Sequence, residues 1–200
     1  MKKIVYITLL LLMACEIPTE SYENPLDVEA AGDNGIETPA LVFFPDEITV
    51  TSGATFTVFV YGLMFDNLAG SSIQVEFDKN RVQVSSVIKG DIFVDSQNEP
   101  IFFTELNNEN GLINITTSFL GSDSTAIDVT GSIAQLTFTT VATGASTLTF
   151  GSQCEMVNPD DQALEIKGFG EASITTNWFN LKNTWKIYQT ILYNQFHMEY

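Results

Sequence analysis

The chain has a single histidine, His197, close to the C-terminus. For the central part of the sequence this excludes imidazole acid–base pairs, His-dependent nucleophilic triads and His-rich metal sites. Cations are scarce as well: eight Lys and Arg stand against 25 Asp and Glu, a formal charge of −17. A chain of that sign repels phosphate backbones and lacks the basic stripe that displaces counterions from DNA or RNA, so no nucleic acid partner is expected. Cysteine occurs twice, at Cys15 and Cys154. No apolar run approaches the roughly 20 residues that a helical membrane span needs. What is present, 44% hydrophobic and 12% aromatic residues in 200, suffices for the core of one domain of about 100–150 residues.

The first residues have the layout of an export signal. Met1-Lys2-Lys3 is cationic, Ile4 to Met13 is almost wholly apolar, and the run ends in Leu12-Met13-Ala14-Cys15. That ending resembles the bacterial lipobox, in which a small residue precedes a Cys whose thiol receives a diacylglycerol. The resemblance implies a signal peptide over 1–14, lipidation at Cys15 and a membrane anchor of several acyl chains. Glu16 in place of Asp points to an outer-membrane lipoprotein, facing the surface or the periplasm. Residues 15–40 are rich in acids, with Pro18, Pro25 and Pro39 and no sustained apolar period, and are expected to form a disordered linker after the lipidated Cys. With Cys15 lipidated, Cys154 has no internal disulfide partner and is expected to be a small buried hydrophobe or an inert loop thiol.

From 41 to 176 short runs rich in Val, Ile, Thr and Phe alternate with Gly, Asn, Asp and Ser. Thr55 to Tyr61 alternates around Phe56, Val58 and Val60, and Ser71 to Phe77 around Ile73, Val75 and Phe77. Each has the period of a strand with one buried and one wet face. Further runs fall at Glu47–Thr51, Arg81–Ile88, Ile101–Leu106, Leu112–Ser118, Ser132–Thr140, Ser146–Phe150 and Gly170–Thr176. Asp78-Lys79-Asn80, Asn110-Gly111 and Asn158-Pro159-Asp160-Asp161 supply turn chemistry between runs. The pattern predicts an all-β, nine-stranded jelly-roll or immunoglobulin-like β-sandwich.

Three stretches in order carry a resemblance to a known family. Asn67 to Asp78 leads through Val82 and Val84 to Lys89-Gly90-Asp91-Ile92-Phe93. Gly111 to Ile115 is followed by Gly131 to Phe138, and Gly144 to Phe150 closes the series. Together they resemble the cohesin domain of cellulosomal scaffolding proteins over about 41–176; Lys79 stands where that family usually has Pro. The resemblance implies a nine-stranded jelly roll related in fold to carbohydrate-binding modules. It also implies a flat sheet, strand order 8-3-6-5, that grips a dockerin on a secreted partner during polysaccharide breakdown, without catalysis. Taking Ser71–Phe77 as the third strand and Leu112–Ser118 as the sixth, alternation turns Ser72, Gln74, Glu76, Asn114 and Thr116 outward on that sheet, as partner-binding residues. Two other functions stay open on the same fold: direct polysaccharide binding, and a structural envelope lipoprotein.

No cofactor is expected. Asp123, Asp128, Asn158, Asp160 and Asp161 offer oxygen ligands for calcium, but not at EF-hand spacing. Phe59 and Tyr61 are candidates for stacking on sugar rings or for packing. Residues 177–200 differ from the rest, with seven aromatics and one acid. Trp178, Leu181, Trp185, Tyr188 and Leu192 have the spacing of an amphipathic helix, or of a tail that packs on the sandwich.

Overall fold

A computed structural model describes residues 24–93, 100–118 and 127–178. The signal peptide, Cys15 and its flank, the acid Asp123 and the C-terminal tail after Trp178 lie outside the described residues.

The architecture is a sandwich of two sheets. Helix α1, Val28–Asp33, precedes strands β1 (Ala40–Phe44), β2 (Glu47–Thr51), β3 (Thr55–Leu68), β4 (Gly70–Phe77) and β5 (Val82–Lys89). A 3-10 turn, Asp91–Phe93, leads to β6 (Ile101–Asn107), β7 (Leu112–Ser118), β8 (Ile127–Thr140) and β9 (Gly144–Phe150). Short strands β10 (Glu155–Val157), β11 (Ala163–Leu164) and β12 (Gly168–Phe169) come before β13 (Ala172–Asn177). One sheet has the order β12-β1-β3-β8-β5. In the other, β6 pairs with β7 and β7 with β4; beyond β4 the sheet forks, with β9-β13-β2 at one end of the strand and β10-β11 at the other. β13 runs parallel to β2 and antiparallel to β9.

Alternation explains which side chains fill the space between the sheets. Val58 and Val60 from β3, Ile73 and Val75 from β4, Ile113 and Ile115 from β7, and Leu136 and Phe138 from β8 are completely buried. Phe138 stacks on Phe56 at a centroid distance of 5.6 Å and meets Phe77 edge-on at 5.5 Å. A Leu or Phe buried in this way is worth roughly 1.5–3 kcal/mol in transfer free energy. The inward pair Ser71 and Thr117 satisfies itself, hydroxyl to hydroxyl at 2.7 Å.

All nine expected runs form strands, and four further strands, β1, β10, β11 and β12, join them. β1 escaped the alternation test because Ala40, Leu41, Val42 and Phe43 are all buried. Leu41 and Phe43 face the main core, whereas Ala40 and Val42 pack with Leu63 against Ala30 and Ala31 of α1. A strand covered on both faces reads as a continuous apolar run. The same contact corrects the expectation of a disordered linker up to residue 40. Asp27 caps α1 by accepting from the Ala30 N–H at 3.0 Å, and the helix puts two alanines on the outside of the sheet. An acidic, proline-bearing composition concealed so small an apolar face.

The turn at Asp78-Lys79-Asn80 is built as its residues suggest. The Asp78 carboxylate accepts from the Asn80 N–H at 2.9 Å, and Arg81 stands 4.0 Å from the same side chain. Lys79 donates to the Glu109 carbonyl, tying this turn to the β6–β7 turn.

Candidate functional site

The face formed by β6, β7, β4 and the fork beyond it is where the expected partner-binding residues meet. β9-β4-β7-β6 is the hydrogen-bonded order of the eighth, third, sixth and fifth expected runs. Ser72 and Glu76 are exposed and Gln74 half-buried on β4, while their neighbours Ser71, Ile73, Val75 and Phe77 are buried. On β7, Asn114 is half-buried and Thr116 exposed between the buried Ile113, Ile115 and Thr117. Register then places Ser72 opposite Thr116 and Gln74 opposite Asn114. All five residues therefore share one outward surface.

At its centre a chain of side-chain hydrogen bonds crosses the strands. The Gln74 amide donates to Asn114 Oδ1 at 3.2 Å and lies 3.5 Å from Gln153 Oε1. Asn114 Nδ2 donates in turn to Glu105 Oε2 at 3.2 Å. The backbone beneath Gln74 is held in an unusual way, because neither β9 nor β10 pairs with β4 at this residue. Gly151 N–H donates to the Gln74 carbonyl at 2.9 Å, and the Gln74 N–H donates to Cys154 Sγ at 3.4 Å. Gly151 has no side chain for a reason: a Cβ there would overlap the Gln74 side chain. Cys154 is half-buried and free. Burial pushes its thiol pKa above the ordinary 9.0; the Gln74 hydrogen bond opposes that shift, and the Glu76 charge adds to it.

Residues not foreseen from the sequence complete the face. Glu105 lies opposite Asn114, and Phe103 opposite Thr116; Glu155 lies opposite Ser72 on the far side of β4. Phe103 is 63% exposed and Ile101 49%, leaving an apolar margin on the edge strand β6. Ile101-Phe102-Phe103 is apolar throughout, so alternation could not tell which ring points out. Phe102 turns inward, its ring 6.1 Å from that of the buried Phe93, and Phe103 is left in solvent.

The other sequence candidates fall elsewhere. Phe59 and Tyr61 lie on the outside of the opposite sheet, half-buried. Tyr61 meets Phe44 at an interplanar angle of 88° and Phe59 at 58°, so the three rings form no flat platform, and Tyr61 also packs near α1. Burial, followed by the charge of Asp91, pushes the Tyr61 hydroxyl pKa up. Asn158, Asp160 and Asp161 form the β10–β11 turn, where Asn158 Oδ1 accepts from the N–H groups of Asp160 and Gln162 at 3.0 and 2.9 Å. Among the described residues no three His, Cys, Asp or Glu side chains gather as metal ligands. Asp128 lies in β8, away in sequence from that turn.

This sandwich is shared with solved proteins. A non-cellulosomal cohesin from Archaeoglobus fulgidus superposes with a TM-score of 0.57 at 14% identity, over 72% of this chain and 95% of the other. A type II cohesin domain from the cellulosome of Acetivibrio cellulolyticus gives 0.60 at 15%, over 69% and 95%. A cohesin from a type I cohesin–dockerin complex of Clostridium thermocellum gives 0.56 at 17%, over 70% and 98%. At such identities the likeness is one of fold. No curated protein matches the sequence. The sequence model of the cohesin domain, however, matches residues 42–177, which takes in every strand of the sandwich except the first residues of β1. With more than half of its length under that match, the chain belongs to the cohesin domain family.

Proposed function

We propose that this protein is a non-catalytic docking module. Its β6-β7-β4 face, extended by β9 and β10, binds a dockerin-like module on a secreted protein engaged in polysaccharide breakdown. The observation that carries the reading is the outward set Ser72, Gln74, Glu76, Asn114 and Thr116, gathered on one sheet and linked through Gln74, Asn114 and Glu105. The surface is broad, strand-built and rich in side chains that both donate and accept, which suits recognition of another protein surface. Support also comes from the solved cohesin of Clostridium thermocellum, which is described in complex with a dockerin. The resemblance of Leu12-Met13-Ala14-Cys15 to a lipobox supports the rest of the reading: lipidation at Cys15 and a place on the outer membrane, with the domain held at the cell envelope.

The test is a pull-down with the unlipidated chain, Cys15→Ser, against the secreted proteins of its own cell, in calcium and in chelator. Calcium-dependent recovery of a dockerin-bearing protein, lost in the Gln74→Ala/Glu76→Ala variant, is the expected result. Retention on a polysaccharide column with no dockerin recovered would overturn docking in favour of glycan binding. Radiolabelled fatty acid should enter the wild-type chain and not Cys15→Ser; equal labelling would remove the anchor from the reading.

A further inference from the structure

The docking sheet carries charge of one sign only. Its strands β2, β4, β6, β7, β9, β10, β11 and β13 contain Glu47, Glu76, Glu105 and Glu155, and not one Lys or Arg. All four carboxylates are exposed. The described cations are used or placed elsewhere: Lys79 and Arg81 in the β4–β5 turn, Lys89 at the end of β5 in the other sheet, and Lys167 before β12. Hence, among the described residues, no Lys or Arg on a neighbouring strand of this sheet stands beside Glu76, Glu105 or Glu155.

Their positions follow from register. Glu105 is in the row of Asn114 and Gln74, two strands from β4, or about 10 Å at the usual strand spacing. Glu76 lies two residues along β4 from Gln74; Glu155, opposite Ser72, is displaced from Glu76 by roughly 13 Å along the strand at 3.3–3.4 Å per residue. The row Phe103, Thr116, Ser72, Glu155 crosses the sheet from the exposed ring on β6 to the carboxylate on β10, and Glu105 lies two residues along β6 from Phe103. Glu105 is also fixed, since one of its oxygens accepts from Asn114. A fixed carboxylate loses less conformational freedom on pairing than a free one.

Resting on the docking reading, we propose that the partner meets this face with a cationic surface. Two or more Lys or Arg side chains pair with Glu105, Glu76 and Glu155, and one apolar side chain packs on Phe103 at the β6 edge. A like-charged partner surface is rejected by the same three groups, so charge selects among partners as well as attracting the right one.

The experiment titrates the full unlipidated chain with purified dockerin modules graded from anionic to cationic, at low and high salt. Expected are binders among the cationic modules, with affinity falling about tenfold or more as screening shortens the Debye length. The Glu76→Gln/Glu105→Gln/Glu155→Gln variant should bind about tenfold more weakly and lose most of its salt dependence, whereas Phe103→Ala should weaken binding at every salt concentration. A dockerin that binds with no salt dependence, or whose salt dependence survives the triple variant, overturns the charge inference and leaves docking standing. Failure of every module to bind the folded chain overturns docking and this inference together.

Discussion

The Gln74 N–H finds its acceptor in the thiol of Cys154, 3.4 Å away, at the residue where β4 changes partner from β9 to β10. A backbone donor in a sheet needs an acceptor, and at a fork between two strands no carbonyl is in line to provide one. Sulfur, a weak acceptor with a long reach, bridges the gap while the Gly151 N–H takes the carbonyl side. The residue at the middle of the proposed docking face is thus positioned by the one cysteine of the domain.

Cys154→Ala should remove that acceptor. Leaving a fully buried N–H unmet costs about 1–3 kcal/mol; this one is part-buried, so chemical denaturation should show a lower midpoint, by less than that cost, with an unchanged slope. Partner affinity should fall as well, because Gln74 is no longer held. Full binding in a destabilised Cys154→Ala protein would separate the thiol from the face.

The thiol also makes stability depend on pH. Burial raises its pKa above 9.0, partly offset by the Gln74 hydrogen bond and reinforced by Glu76. The folded state therefore favours the neutral thiol. The resulting stability is fully present below the unfolded-chain value and is lost as pH rises through the raised one. Melting temperature should stay level through neutral pH and fall above about 9. Cys154→Ala should flatten the first part of that fall; Tyr61, also raised by burial, keeps the remainder at higher pH. Glu76→Gln lowers the thiol pKa, so alkylation of the native protein at pH 8 should be faster than in wild type. An unchanged rate would deny the coupling.

The chain of hydrogen bonds through Asn114 gives a separate test. Asn114→Asp puts a carboxylate directly opposite Glu105, and like charges paired across strands destabilise by a few tenths to about 1 kcal/mol. The repulsion needs both carboxyls charged, so the loss is present at pH 7 and disappears on acidification. Thermal melts of variant and wild type should converge on acidification. A deficit that persists at low pH would mean the amide acts by donating to Glu105 and not by avoiding charge.

How far the sequence reveals all this depends on whether one face of an element is wet. Ile73, Val75 and Phe77 alternate with polar residues, as do Ile113 and Ile115, and that is enough to assign Ser72, Gln74, Glu76, Asn114 and Thr116 outward with no tertiary knowledge. Ala40 to Phe44 does not alternate, since α1 covers its second face, and Ile101-Phe102-Phe103 does not because the edge strand exposes an aromatic ring. Glu105 and Glu155 became part of the face only through the register of β6 on β7 and of β10 on β4. Cys154, expected as a small buried hydrophobe or an inert loop thiol, lies half-buried just before β10, and its bond to Gln74 depends on a fork in the sheet that no local pattern encodes.

Gly90 and Asp91, part of the Lys89-Gly90-Asp91-Ile92-Phe93 stretch that resembles the cohesin pattern, allow the last test. Asp91 Oδ1 accepts from both the N–H and the hydroxyl of Ser132, at 2.7 and 2.6 Å. The Asp91 N–H donates back to Ser132 Oγ at 2.9 Å. This reciprocal pair clamps the 3-10 turn to β8 and so holds Phe93 in the core behind β6. Gly90 runs so close to β8 that a Cβ would overlap the Ser132 backbone, while its own N–H bonds the Ile133 carbonyl at 2.9 Å. Asp91→Ala loses charge-assisted bonds worth roughly 1.5–3 kcal/mol in total effect. Gly90→Ala should cost at least as much, because the backbone atom it meets cannot rotate away. Since Phe93 touches Phe102 and Phe103 is the next residue on β6, both variants should also weaken partner binding, Gly90→Ala more than Asp91→Ala. Equal stability of Gly90→Ala and wild type in urea would show that the turn has room to move, and would sever it from the docking face.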